Sequence, residues 1–328
     1  MVSASSLLLP SSVRDLASCV SDGAVRVACA TPASTLVAAG SVTSSGPAPA
    51  SAAAAPATLS VAVTYRAATP RSASSSPPLL LRLTWSHSPT LGAPALSFAA
   101  GPAASSPAVL LRRRKGTRSI PPSSSRDGDS LHPPLALFWD LTAAKYAAAS
   151  SSPSPEPVSG FYVVAVANAE VVLAVGDLAA DFVKAKFEGH VPKAPSSRPV
   201  ARADRVVAAT GAGAMHAARV RFAEGAPEHE VAVGCAGAAD ELWVSVDGKR
   251  AVHARRLRLN FRGNQTVFVD GRPVDVLWDL HGWLFRDTPG CAVVMLRARS
   301  ALESRLWLEE EAAAPGFALV VQAFKSPP

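Results

Sequence analysis

Acid, carboxylate and base side chains meet at one point in the sequence. Asp275, Asp279 and His281 lie in VDVLWDLH, where alternation puts them on the strand face opposite Val274, Val276, Trp278 and Leu280. General acid–base chemistry needs such groups within hydrogen-bond reach of a substrate, so an enzyme reading starts at the Asp279–His281 strand end. The simpler reading makes Asp279 a cap bonded to backbone in the next turn. An earlier copy of the segment, Phe138-Trp139-Asp140-Leu141, keeps the Asp without the His.

Glu228-His229-Glu230 offers metal-ligand types, but neighbours on a strand point to opposite faces, which predicts surface polar residues instead. His87, His190, His216 and His253 show no ligand spacing. Thr210-Gly211-Ala212-Gly213-Ala214 lacks the Lys-Ser/Thr of a phosphate loop. The 4 cysteines, Cys19, Cys29, Cys235 and Cys291, form no CxxC pair, so reduced thiols are expected rather than a zinc site or disulfide scaffold. No cofactor or metal is implied.

Charge is the remaining chemical signal. The chain carries a formal net charge of +7, which favours association with acidic partners. The excess is concentrated in Arg112-Arg113-Arg114-Lys115 and in Lys249 to Arg262. Leu257, Leu259 and Phe261 alternate with Arg256, Arg258 and Arg262, which predicts a strand with an outward basic row, its guanidinium groups about 7–14 Å apart. That row, Arg256, Arg258 and Arg262, is the candidate anion-binding face. Basic side chains also protect strand edges, so a protein partner is the first expectation and weak polyanion binding the second.

Strands must position these residues. Leu242 to Phe285 reads as an antiparallel meander, with Asp247-Gly248 and Asp270-Gly271 as two-residue hairpin turns and Arg262-Gly263-Asn264-Gln265 as a looser one. A change of apolar parity at Arg255-Arg256 suggests a β-bulge. Leu79, Leu81, Leu83 and Trp85 share one face of an earlier strand. Further strands are expected at Val13–Ala30, Leu59–Arg66, Ala95–Phe98, Ala108–Arg112, Leu135–Leu141, Val206–Ala209, His216–Phe222, His229–Cys235, Cys291–Arg297 and Phe317–Phe324. The apolar run Phe161–Leu178 is interrupted by Asn168 and Glu170, which makes it a hairpin and not a membrane span. Ala179–Phe187 and Ala301–Glu311 read as short helices.

The meander has a degraded counterpart. Lys115-Gly116 followed by Phe138-Trp139-Asp140-Leu141 matches Arg262-Gly263 followed by Leu277-Trp278-Asp279-Leu280, and LLLRLTW precedes the first copy where HEVAVGC precedes the second. The fold class that follows is all-β: an antiparallel sandwich or barrel-like architecture built from two pseudo-repeated meander units. The first unit spans about 59–178 and the second about 205–325, within one domain over 13–326 that follows a tail at 1–12. Ala/Ser/Pro tracts at 31–57, 67–78, 116–134, 147–157 and 189–203 are expected to be disordered loops.

From Arg255 to Phe285, and in FWDLTAAKY at Phe138–Tyr146 and PEPVSGFYVVAV at Pro155–Val166, the sequence resembles the plant domain-of-unknown-function 868 family. That resemblance implies a plant origin and brings no activity that could be carried to individual residues. The combined expectation is a non-enzymatic β-rich binding or interaction module, with an enzyme at Asp279–His281 as the alternative. It would be intracellular, cytoplasmic or nuclear. The acid-poor, Ser/Ala-rich start is also compatible with a plastid transit peptide.

Overall fold

The computed structural model describes residues 57–67, 79–87, 94–101, 107–122, 133–147, 154–187, 197–208, 214–236, 240–286, 290–299 and 316–325. The expected strand at Val13–Ala30, the helix at Ala301–Glu311 and most of the Ala/Ser/Pro tracts lie outside these residues. So does the Thr210–Gly213 glycine-rich segment.

The first unit opens with β1 (Ala57–Arg66), β2 (Leu80–His87), β3 (Pro94–Gly101) and β4 (Ala108–Leu111). A second meander follows: β5 (Lys115–Ile120), β6 (Leu135–Asp140), a small β7–β8 pair (Lys145–Tyr146 with Pro157–Ser159), β9 (Tyr162–Ala167) and β10 (Glu170–Val175). After helix α1 (Ala179–Lys186) and strand β11 (Arg198–Ala208), the order repeats. One meander is β12 (Ala214–Val220), β13 (His229–Ala236), β14 (Glu241–Val246) and β15 (Lys249–Arg255). The other is β16 (Arg262–Val269), β17 (Arg272–Asp279), the short helix α2 (His281–Phe285), β18 (Cys291–Ala298) and β19 (Ala318–Lys325).

Each unit buries one face of its first meander against one face of its second. Leu81, Leu83, Trp85 and Phe98 pack with Leu137, Trp139, Val163 and Leu173 in one core. Val231, Leu242, Val244 and Val252 pack with Val274, Val276, Trp278 and Leu296 in the other. This is sandwich packing, with alternate residues of each strand turned inward. Among the described residues no sheet closes into a barrel. α1 lays Ala179 and Val183 on the outer face of β9–β10, and Phe182 stacks on Tyr162 at 4.3 Å.

β11 joins the units. It pairs antiparallel with β1 and parallel with β19, completing a nine-stranded sheet in the order β16-β17-β18-β19-β11-β1-β2-β3-β4. Residues 198–203 were expected in the disordered tract 189–203, but they are part of β11, although Pro199 cannot donate to a ladder. The strand accommodates it where the β1 register shifts between Thr64 and Tyr65, outside the span paired with β19.

Other expectations need correcting. Gly116–Ile120 belongs to β5 instead of a loop, Pro157 opens β8 and Ala57 opens β1. Arg262–Gln265 is strand, while the reversal occurs earlier, at Leu257–Leu259. Both misplaced glycines are packing residues. Gly116 faces Trp139 and Gly263 faces Trp278 across the ladder. A Cβ at Gly116 would meet Trp139 Cζ2 at 2.7 Å, and one at Gly263 would come closer still to Trp278. The parity change at Arg255-Arg256 is a strand end, with Arg256 at φ 55°, and no bulge. Leu257 is buried as expected, but Leu259, expected in the core, is 76% exposed because the alternation does not survive the turn. Cys291 is disulfide-bonded, contrary to the expectation of four reduced thiols, while Cys235 is free. Spacing along the chain does not reveal a pairing made in space.

Candidate anion-binding turns

The turn between β15 and β16 is built from Arg256 to Phe261. Leu257 is its anchor, fully buried, with its N–H donating to Asp240 O at 3.2 Å. Arg256 O accepts the N–H groups of Leu259 and Asn260, both at 2.9 Å, and Asn260 Nδ2 donates to Arg255 O at 2.8 Å. Trp278 then fastens the turn from β17: its Nε1–H donates to Asn260 O at 3.0 Å, and Leu280 N–H donates to Phe261 O at 2.8 Å. Arg256, Arg258 and Leu259 are left exposed.

The turn between β4 and β5 repeats this fastening. Trp139 Nε1–H donates to Arg113 O at 2.8 Å, and Leu141 N–H donates to Arg114 O at 2.7 Å. The pair at the strand start repeats too, with Lys115 Nζ 2.8 Å from Asp140 and Arg262 Nε 3.3 Å from Asp279. Asp140 Oδ1 accepts the N–H of Thr142 at 3.0 Å, as Asp279 Oδ1 accepts that of His281 at 2.9 Å. Partial burial opposes ionisation of Asp140, but the bonds from Lys115 and Thr142 outweigh it and hold the carboxyl below its ordinary value.

The expected basic row is therefore not a row on a strand. Arg262 begins β16, pairs with Asp279 and lies 5.4 Å from the Phe261 ring centroid. Arg256 and Arg258 project from the turn and make no ion pair among the described residues, and the same holds for Arg112, Arg113 and Arg114 in the first unit. Two equivalent turns thus present uncompensated guanidinium groups on a backbone locked by a tryptophan.

The acid–base candidates are otherwise engaged. Arg299 Nε and Nη2 reach Asp275 at 2.8 Å each, and Thr266 Oγ1–H donates to it at 2.7 Å. Asp279 caps His281 N–H and pairs with Arg262. The His281 ring packs between Phe261 and Phe285, at 5.6 and 5.4 Å. Among the described residues no group of three or more His, Cys, Asp or Glu could hold a metal ion.

Sequence reading missed two polar clusters. His229, expected at the surface, is 7% exposed and clamped between the two hairpin turns: Nδ1 lies 2.7 Å from Asp247 and Nε2 2.9 Å from Asp270. The two Asp-Gly pairs were the available signal, since they place carboxylates at hairpin tips. The bonds from Asp247 and, against burial, Asp270 raise the His229 pKa, while the His229 bond lowers that of Asp247. A raised imidazole pKa contributes stability that is complete below the unfolded value and fades as pH rises through the folded one. The depressed Asp247 contributes above the unfolded carboxylate value and fades as pH falls. The clamp is therefore strongest between about pH 4 and 6.5. Thermal melts of wild type and His229→Gln are expected to differ most there and to converge at alkaline pH; a gap constant with pH would mean the clamp does not titrate.

The second cluster lies on β11. Asp204, with a fully buried side chain, is 3.0 Å from Arg202 Nε and 2.9 Å from His216 Nε2, and Arg202 Nη1 reaches Glu156 at 2.7 Å. Burial alone would lower the Arg202 pKa, but Asp204 and Glu156 raise it. Burial, reinforced by Glu156, raises that of the Tyr65 hydroxyl.

The sequence profile of the plant proteins of unknown function DUF868 matches residues 60–325. The chain belongs to this family. The match runs through both units, so this DUF868 domain contains both basic turns and β11. No curated protein and no solved structure matches the chain. Among the described residues of this DUF868 member, no helix is long and apolar enough to cross a membrane.

Proposed function

We propose that this DUF868 protein is a non-enzymatic β-rich binding module that engages a polyanionic partner through its two basic turns. One observation carries the reading: Arg112, Arg113 and Arg114 in one unit, and Arg256 and Arg258 in the other, are exposed and make no ion pair among the described residues, at turns fastened by the same tryptophan bond. A guanidinium held on a fixed backbone loses less freedom on meeting a phosphate than one on a mobile loop. Arg262, already paired with Asp279, contributes at the margin of its turn. The reading sets the protein inside the cell, cytoplasmic or nuclear, where nucleic acids and anionic leaflets are abundant and where the binding turns would act with Cys291 reduced, since thiols are kept reduced there.

The test is titration of a labelled single-stranded oligonucleotide at several salt concentrations. Weak, sequence-independent binding is expected, with a log–log salt slope of about −3.5 if all five arginines engage phosphates. Changing Arg112, Arg113 and Arg114 together to Ser is expected to reduce that slope by about two. Changing Arg256 and Arg258 to Ser removes most of the rest. A salt slope indifferent to both variants would remove the turns from the binding surface.

A further inference from the structure

The β15–β16 turn also carries an exposed aliphatic side chain: Leu259 sits directly after Arg258 and is 76% exposed. In the first unit the nearest exposed leucine is Leu110, 46% exposed, on strand β4 where it pairs with Ser97 just before the basic turn. Beside the second turn, Phe285 of α2 is 48% exposed and packs edge-on against Phe261 at 5.4 Å. Arg286 follows it, also exposed. An isolated exposed leucine needs no explanation. At the β15–β16 turn, however, Leu259 and Phe285 are exposed beside Arg256, Arg258 and Arg286, so apolar and basic side chains share one surface there.

Resting on the polyanion reading above, we infer that the partner is an anionic lipid surface, with Leu259, and in the first unit Leu110, entering the acyl boundary while the neighbouring arginines meet lipid phosphates. A nucleic acid offers phosphates to the arginines and base faces to Phe285, but it has no apolar phase for an aliphatic side chain. A bilayer interface offers both charge and hydrocarbon at the depth difference between an arginine head and a leucine tip. The tryptophan-fastened backbone keeps the leucine presented outward.

The two contributions separate by salt. Screening weakens the arginine–phosphate attraction, whereas burial of Leu259 in hydrocarbon is not electrostatic. The full chain is tested by co-sedimentation with phosphatidylcholine vesicles with and without phosphatidylserine, and in parallel with the single-stranded oligonucleotide. Wild type is expected to bind the phosphatidylserine vesicles and to retain part of that binding at salt concentrations that abolish oligonucleotide binding. Leu259→Ser, at a solvent-exposed position, is expected to lose vesicle binding about tenfold and to leave oligonucleotide binding unchanged. Leu259→Trp is expected to bind vesicles at least as well and to show a blue shift in emission on phosphatidylserine vesicles beyond that of wild type. Vesicle binding indifferent to Leu259→Ser, or a Leu259→Trp emission that does not move, overturns the lipid assignment while the polyanion reading stands on the arginine variants. If those arginine variants bind vesicles and oligonucleotide as wild type does, the polyanion reading fails and takes this inference with it.

Discussion

Trp278→Ala is expected to lower the unfolding free energy by about 3–5 kcal/mol, the usual range for deleting a large aromatic from a core. The indole is 8% exposed, covers Gly263 across the ladder and donates to Asn260 O. Its removal therefore combines three losses: the apolar area, the volume left above a glycine that has no side chain to fill it, and the bond fastening the β15–β16 turn. Trp139→Ala is expected to cost a similar amount, since Trp139 covers Gly116 and donates to Arg113 O in the same way. Urea melts of both variants make the comparison. A loss under about 1 kcal/mol at either site would mean that the indole is replaceable there. A large cost at one and none at the other would break the equivalence of the units.

Asp204→Ala is the second large effect. The carboxylate is fully buried, and among the described residues its loss leaves Arg202 with Glu156 as its one acidic partner and His216 Nε2 with none. Removing one member of a buried charged set typically costs about 3–5 kcal/mol, because the remaining charge stays desolvated without compensation. Asp204 lies on β11, Glu156 precedes β8 in the first unit and His216 lies on β12 in the second. The expected result is an earlier urea midpoint for Asp204→Ala, with Arg202→Met, which removes the charge that Asp204 neutralises, recovering part of the loss in the double variant. Additive losses would show that the two side chains are not coupled.

Much of the fold was legible because alternation is a local signal. Val274, Val276, Trp278 and Leu280 were assigned to one face and are all buried, and the hairpins at Asp247-Gly248 and Asp270-Gly271 have both Asp residues at φ 49°. The Gly-to-Trp pattern gave away the repeat because it records a contact between adjacent strands. What the pattern could not convey is that the glycine serves the tryptophan, so Gly263 was read as part of a turn and Gly116 as the start of a loop. The basic residues were found, but their geometry was not. Arg256 leaves the strand in a left-handed conformation, an uncommon state for a residue with a Cβ, and this places Arg258 and Leu259 on a tip. His229 and Asp204 were hidden for another reason. Apart from Arg202, two positions before Asp204 on the same strand, their partners are distant in the sequence, so no spacing along the chain announces them.

The position of β11 has a consequence for synthesis. Its one neighbour, β1, leaves the ribosome before it, and its other neighbour, β19, leaves last of the described strands. Through translation of the whole second unit, β11 therefore carries one ladder of unpaired N–H and C=O groups, an edge open to any extended chain nearby. The partner that closes it runs parallel, a pairing that no tight turn can deliver. Until then, the arginines and the aspartate along β11 are the charges that keep a nascent sheet from recruiting a foreign strand.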